Sequence, residues 1–338
     1  MDTRCRLRPP ACRYRQRQTH RNSYQRIGDR TVSDTPLAPR IHHFTTKASE
    51  TGVPAHTLAM VDWGNVDDRV PIVCVHGLTR NARDFDALAP ALAASGRRVI
   101  AISMAGRGES QWLDDPMHYT YATYVADCIA VMDNFHFRQV DWIGTSMGGI
   151  IGMIIASFQP DRIRKLLLND IGAILKKSAL ERIFANVRAM PTRFATMAEA
   201  EAYIRNAYKT FGLTDAEWPI FINLSVQPTT DGGFRLACDS RIVEPLARDS
   251  KNFTEIVDVN LAEFWKQVEC PTLILRGEQS DILDPETLSA MRAIHLSTQC
   301  ITIPGVGHAP ALLSAEQIAI VERWQSGKTS TGIPLAGL

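Results

Sequence analysis

Ser146 sits in Gly144-Thr145-Ser146-Met147-Gly148-Gly149, directly after the apolar run 140–143 and directly before a second apolar stretch. A short strand that runs into Gly-x-Ser-x-Gly and then a helix makes a strained turn that presents the serine hydroxyl at the carboxyl edge of a sheet. Glycine is expected at 144 and 148 because strand and helix backbones approach there too closely for side chains. Ser146 itself must take an unfavourable backbone conformation that its surroundings hold in place. Its hydroxyl then lies near a helix amino end, where developing negative charge is favoured. The chemistry this implies is nucleophilic attack on a carbonyl, which needs a base to take the hydroxyl proton, and imidazole suits neutral pH. Of the nine histidines, His308 lies in Gly305-Val306-Gly307-His308-Ala309-Pro310, a glycine-rich loop that follows an apolar run and leads back to the same edge. His42, His43 and His56 belong to early strands, and His118, His136 and His295 read as surface or packing residues. His76 is expected to hold the backbone of its own loop.

Those side chains need a frame, and the apolar pattern supplies one. IHHFTTK and HTLAMVDWG read as edge strands, and VPIVCVHG (70–77) as a fully buried parallel strand. A helix is predicted over 84–92, a strand over 97–106, a helix over 122–132, a strand at QVDWIG, a helix from 147 to about 158 and a strand over 163–170. Short apolar strands alternating with helices imply parallel pairing and right-handed crossovers, hence a helix-covered α/β sheet. The alternation lapses over 171–269. There ALERIFANV, MAEAEAYIRNAYKTFG and TDAEWPIFINLSV read as amphipathic helices and TTDGGFRLACD as a turn with a short strand. It resumes with a strand over 270–277, a helix over 285–295, a strand over 299–305 and a helix over 315–324. The expected division is therefore a basic disordered extension over 1–38, a core over 39–170 and 270–328, a helical lid over 171–269 and a flexible tail over 329–338.

Composition bounds the function. The 338 residues are 45% hydrophobic and 22% charged, ordinary values for a soluble globular chain, and no apolar run reaches the length of a membrane span. The net charge of +1 conceals an asymmetry. Residues 1–40 hold ten arginines, no lysine and three acids, which leaves 27 basic and 33 acidic side chains over the remaining 298 residues. A mildly acidic body argues against a nucleic-acid face. The arginine-rich start has too few aliphatic residues to order itself, and Pro9-Pro10 spoils the apolar face that an organellar targeting helix needs. A basic arm for nucleic acid or anionic lipid matches it on charge alone. The seven cysteines, Cys5, Cys12, Cys74, Cys128, Cys238, Cys270 and Cys300, are scattered, form no CxxC pair and read as reduced thiols of a cytoplasmic protein. No Cys/His spacing resembles a zinc site, so no metal and no cofactor are expected.

The ordered set His76-Gly77-Leu78, Gly106-Arg107-Gly108-Glu109-Ser110, Gly144-Thr145-Ser146-Met147-Gly148-Gly149, Gly277-Glu278-Gln279-Ser280-Asp281 and Gly305-Val306-Gly307-His308 resembles the α/β-hydrolase fold superfamily, in particular its lidded esterase and carbon–carbon hydrolase branch. The resemblance implies a mostly parallel, eight-stranded α/β sheet with a helical lid after the sixth strand. It places the catalytic histidine at His308 and the usual acid, after the seventh strand, at Asp281, in the chain order Ser146, Asp281, His308. Asp170, in LLLND after the sixth strand, is the rival acid; its other reading is a helix cap or loop anchor. The oxyanion would take the backbone N–H of Met147 and of Leu78. Ser103 stands where relatives often carry Asp, a residue that supports the loop.

Arg80 and Arg107 flank the expected pocket mouth and are candidates for binding a substrate carboxylate. Loop-fixing ion pairs with Asp84 or Glu109 are the favoured reading of both. Phe184, Tyr203, Tyr208, Phe211, Trp218 and Phe221 fit either a pocket lining or the core of the lid, and are expected in the core. A serine nucleophile excludes the aspartate-dependent epoxide hydrolases and dehalogenases of this fold. Carbon–carbon hydrolases commonly carry Asn before the serine and Trp after the histidine, where this chain has Thr145 and Ala309. Hydrolysis of a small-molecule ester, thioester or lactone is therefore expected. The alternatives are a carbon–carbon hydrolase and a non-catalytic small-molecule receptor on the same fold.

Overall fold

The computed structural model describes residues 38–245 and 256–327. The expected tail, and all but the last residue of the expected basic extension, lie outside the described residues, as do Cys5 and Cys12. Eight strands form one sheet: β1 (Arg40–Thr45), β2 (Thr57–Gly64), β3 (Ile72–Val75), β4 (Arg98–Ile102), β5 (Val140–Thr145), β6 (Ile163–Asn169), β7 (Thr272–Gly277) and β8 (Gln299–Ile303). Their spatial order is β1-β2-β4-β3-β5-β6-β7-β8. β2 pairs antiparallel with β1 and β4, and every other pair is parallel. This is the mostly parallel, eight-stranded α/β sheet expected.

Alternation along each strand divides the apolar side chains between two layers. Val73, Val75, Ile100, Ile102, Trp142, Leu166, Leu168 and Ile274 face one layer with helices α2 (Tyr121–Asn134) and α3 (Met147–Phe158). Ile72, Cys74, Val99, Ala101, Ile143, Leu167, Leu273 and Leu275 face the other, with α1 (Leu88–Ala94) and the closing helix. The indole of Trp142 is fully buried and donates to the Gly148 carbonyl at 2.9 Å. Burying an indole removes roughly 150–250 Å² from water, a gross gain of about 4–6 kcal/mol.

The predicted helix over 84–92 is instead a 3-10 turn, Ala82–Phe85, followed by α1. Pro90 has no N–H to donate and is tolerated only in a first helical turn, so α1 begins at Leu88. Between β6 and β7 lies an insert with α4 (Lys177–Arg188), α5 (Met197–Ala207) and α6 (Trp218–Ser225). Val226–Pro228 pairs with Phe234–Leu236, and Ile174–Leu175 pairs with Val259–Asn260. The short helix α7 (Ala262–Lys266), which hydrophobic periodicity does not reveal, seats a fully buried Trp265 against the Met291 carbonyl. After β7 come α8 (Pro285–Ile294), capped by Asp284, and after β8 comes α9 (Ala315–Ser326), capped by Ser314. Five described cysteines are free thiols.

Candidate active site

β5 enters the serine turn and α3 leaves it. Ser146 has φ 51° and ψ −112°, a left-handed region that costs a non-glycine residue about 1–3 kcal/mol unless its neighbours enforce it. They do so by hydrogen bonds: the Ser146 N–H donates to the Asn169 carbonyl at 2.9 Å, and the Ser146 carbonyl accepts from Gly149 and Ile150 at 2.9 and 3.1 Å. The flanking glycines are required by contact. A Cβ on Gly144 would lie 2.3 Å from the Gly148 carbonyl carbon, and one on Gly148 would lie 2.0 Å from the Val75 oxygen.

The loop after β8 brings His308 to this hydroxyl, with Nε2 2.9 Å from Ser146 Oγ. On the other side of the ring, Nδ1 lies 2.6 Å from Oδ2 of Asp170. A carboxylate only accepts, so Nδ1 carries the proton and Nε2 is left to accept from the serine. Asp170 follows β6 with φ 56° and is 0% exposed. Its Oδ1 accepts from the Gly277 N–H at 2.8 Å and its Oδ2 from the Ser280 hydroxyl at 2.6 Å.

The carboxylate that meets His308 is therefore that of Asp170, which corrects the expectation placed on Asp281. The loop after β7 contributes donors, Gly277 and Ser280, in place of an acceptor. Asp281, one residue further on, borders the cavity and takes both oxygens to Arg182 of α4, at 2.5 and 2.9 Å. Two residues that sequence reasoning did not single out complete the frame. Asn169 Nδ2 donates to Thr145 Oγ1 at 3.0 Å and to the Pro310 carbonyl at 2.8 Å, tying the serine turn to the histidine loop. Ser280 secures the acid. The only trace of Asn169 in the sequence is a polar Asn-Asp pair that ends an aliphatic run.

Met147 is the first residue of α3, where an N–H has no intrahelical acceptor, and Leu78 borders the same cavity as Ser146 and His308. Gly77 lies beside the serine: a Cβ there would make ordinary contact with the Ser146 Cβ, at 3.8 Å. His76 holds its own loop. Its Nδ1 donates to the Gly77 carbonyl at 2.7 Å, and its Nε2 accepts from the Met104 N–H at 3.0 Å. Burial, reinforced by the nearby Arg107 and Arg80 charges, holds His76 down to about 3 against the opposing Gly77 bond, so it stays neutral.

Neither guanidinium is free to hold a substrate carboxylate: for Arg80 the favoured loop-fixing pair with Asp84 forms, and for Arg107 both expectations are corrected, since among the described residues no carboxylate pairs with it. Arg80 reaches the cavity, but its guanidinium grips Asp84 and Ser225 and stacks 3.7 Å above the Phe221 ring centroid. Arg107 is fully buried behind the loop, and its partners are the Leu78 and Ala105 carbonyls and the Tyr124 hydroxyl.

The cavity over the serine has a volume of about 590 Å³ and is roofed by α4, α5 and the segment after α5. Tyr203, Tyr208, Phe211 and Phe221 line it while also packing in or against the buried core, so both readings hold for them, whereas Phe184 and Trp218 do not line it. Tyr208 hydrogen-bonds Thr79 at 2.9 Å, and the Thr210 carbonyl accepts from Gly307 at 2.6 Å, so the insert touches both the Leu78 loop and the His308 loop. Among the described residues no group of three or more His, Cys, Asp or Glu is arranged to hold a metal, and no helix is long and apolar enough to cross a membrane.

A family model described as the alpha/beta hydrolase fold matches residues 70–315. The chain is similar to the 3-hydroxybutyrate-oligomer hydrolase of Cupriavidus necator, with 37% identity over 276 residues, 80% of this chain and 94% of that protein. A solved structure from Rickettsia typhi superposes at a TM-score of 0.79 and 30% identity, covering 86% of this chain and 100% of the other. An alpha/beta hydrolase from Novosphingobium aromaticivorans does so at a TM-score of 0.73 and 29% identity, covering 85% and 98%. With the sheet order, the strained serine turn and these matches in agreement, the chain belongs to the alpha/beta hydrolase fold family.

Proposed function

We propose that this hydrolase cleaves small carboxylic oxyesters through an acyl-enzyme on Ser146, with His308 as base and Asp170 as the acid that orients it. The observation that carries this reading is the unbroken chain of contacts from Ser146 Oγ to His308 Nε2 at 2.9 Å and from His308 Nδ1 to Asp170 Oδ2 at 2.6 Å. His308 takes the serine proton as Oγ attacks the carbonyl carbon. Asp170 stabilises the imidazolium so formed, and the N–H groups of Leu78 and Met147 receive the oxyanion. His308 then returns the proton to the leaving alcohol, and water, activated by the same imidazole, releases the acyl group from Ser146.

The similarity to a hydrolase of 3-hydroxybutyrate oligomers supports oxyesters over other acyl compounds, and short hydroxyalkanoate oligomers as the first substrates to try. The insert acts as the lid that sizes the acyl site. Ser146→Ala lowers kcat on such an oligomer, or on a nitrophenyl butyrate, by on the order of a million-fold, with an unchanged melting temperature. Turnover at the native rate in a folded Ser146→Ala variant would remove the nucleophile from this scheme.

A further inference from the structure

Arg107 is 0% exposed, and among the described residues no carboxylate pairs with it. Of the other buried arginines, Arg80 pairs with Asp84 and Arg98 with Asp62, whereas Arg276, 9% exposed, likewise meets a carbonyl, that of Leu283. A guanidinium removed from water without a counter-charge is one of the costliest groups a fold can carry. Its position shows what it gains. Nε donates to the Leu78 carbonyl at 2.9 Å, Nη1 donates to the Ala105 carbonyl and the Tyr124 hydroxyl at 2.7 Å each, and Nη2 lies 3.7 Å from Met147 Sδ. The Tyr124 and Tyr119 rings lie 4.9 and 5.6 Å from its carbon.

Leu78 and Met147 are the two residues whose N–H groups the proposed reaction needs. One guanidinium thus holds the carbonyl of the first and packs on the side chain of the second. The peptide between Gly77 and Leu78 is held from its other side. Its carbonyl accepts from His76 Nδ1 at 2.7 Å and from the Arg80 N–H at 3.1 Å. In a planar trans peptide the N–H points opposite to the C=O, so drawing the Gly77 carbonyl back aims the Leu78 N–H toward the serine.

We propose that Arg107 is a positioning residue of the oxyanion hole: its planar fork sets the Leu78 loop and Met147, and its charge finds a partner only when the carbonyl oxygen of the tetrahedral intermediate becomes negative. The inference rests on the acyl-enzyme reading of Ser146. A neutral ester gains little from this charge in the ground state, whereas the intermediate gains from it in a water-poor setting. The effect therefore appears in kcat and leaves KM in place.

The test compares wild type, Arg107→Lys and Arg107→Met in the full-length protein. Measurements are kcat per Ser146 titrated with a fluorophosphonate, KM, melting temperature, and affinity for a trifluoromethyl ketone, whose serine adduct carries the same oxyanion. Arg107→Met is expected to lower both kcat and ketone affinity by about a hundred-fold, in line with the loss of an oxyanion donor, with KM within about two-fold. Arg107→Lys keeps the charge but not the fork and loses about ten-fold. A structural role alone would lower melting temperature and the titratable fraction while sparing kcat per titrated serine. If Arg107→Met does not fold, Arg107→Lys decides by itself. Native kcat and ketone affinity in either folded variant overturn the inference. A wild-type protein without ester turnover removes the acyl-enzyme reading and this inference together, whereas an active wild type matched by its lysine variant removes only the role of Arg107.

Discussion

At Asp170 the fully buried carboxylate receives Gly277, Ser280 and His308, whereas at Asp281 it shares a half-exposed ion pair with Arg182. The two residues have the same side chain and sit on adjacent loops, and their surroundings give them different work. Asp170→Asn is expected to lower kcat by about 10⁴-fold, because an amide in place of the acceptor leaves the imidazole in the wrong tautomer. Asp281→Asn removes only an exposed pair, worth less than about 1 kcal/mol, and leaves kcat within about three-fold. Ester kinetics and denaturant unfolding on both variants check this, and the reverse order of kcat would restore Asp281 as the acid. Ser146 and His308 were legible because glycines adjacent in sequence shape the turns that carry them. The acid was not, because the choice depends on which of two carboxylates faces a ring contributed by residue 308.

Among the elements, α3 is the most legible: a strand, a glycine turn and an unbroken apolar run define Met147–Phe158 with no help from the rest of the chain. The attachment of α2 to the sheet is the opposite case. Asp127 on α2 meets His56, just before β2, at 3.0 Å, and the His56 Nδ1 lies 2.9 Å from the Pro54 carbonyl. Acceptors at both ring nitrogens favour the imidazolium. Burial lowers the affinity of His56 for its second proton, but the hydrogen bond and charge of Asp127 outweigh it, so His56 titrates above its ordinary 6.5. A group whose proton is held more tightly in the folded state contributes stability below the unfolded value and loses it as pH rises through the folded one. The melting temperature is therefore expected to fall as pH rises above about 6.5, and His56→Gln to remove that slope. Equal slopes in calorimetric scans of the two proteins would show that the pair does not titrate in this range. Neither residue advertises the other, since 71 positions separate them.

On the scale of the molecule, the insert and the sheet edge make the cavity together. Periodicity marked α4, α5 and α6 as helices, but it could not tell whether an aromatic side chain packs inside the insert or faces the serine, because both leave the same amphipathic spacing. Ile183 of α4 borders the cavity and is half-buried. Ile183→Ala is expected to raise the ratio of kcat/KM for octanoyl over acetyl esters by about ten-fold, the scale on which pocket volume discriminates chain length. An unchanged ratio would place the acyl group elsewhere. What the chain encodes by itself is whatever neighbours in sequence can impose: the alternation of strand and helix, the strained serine turn, the glycine-rich loop that carries His308. What only tertiary structure decided is which distant groups meet: Asp170 in place of Asp281, Arg107 behind the Leu78 loop in place of the pocket mouth, tyrosines facing the cavity. The reason is physical. Local backbone geometry is set by contacts a few residues apart, whereas a hydrogen-bond partner inside a folded core is selected by the packing of all the elements that bring it there.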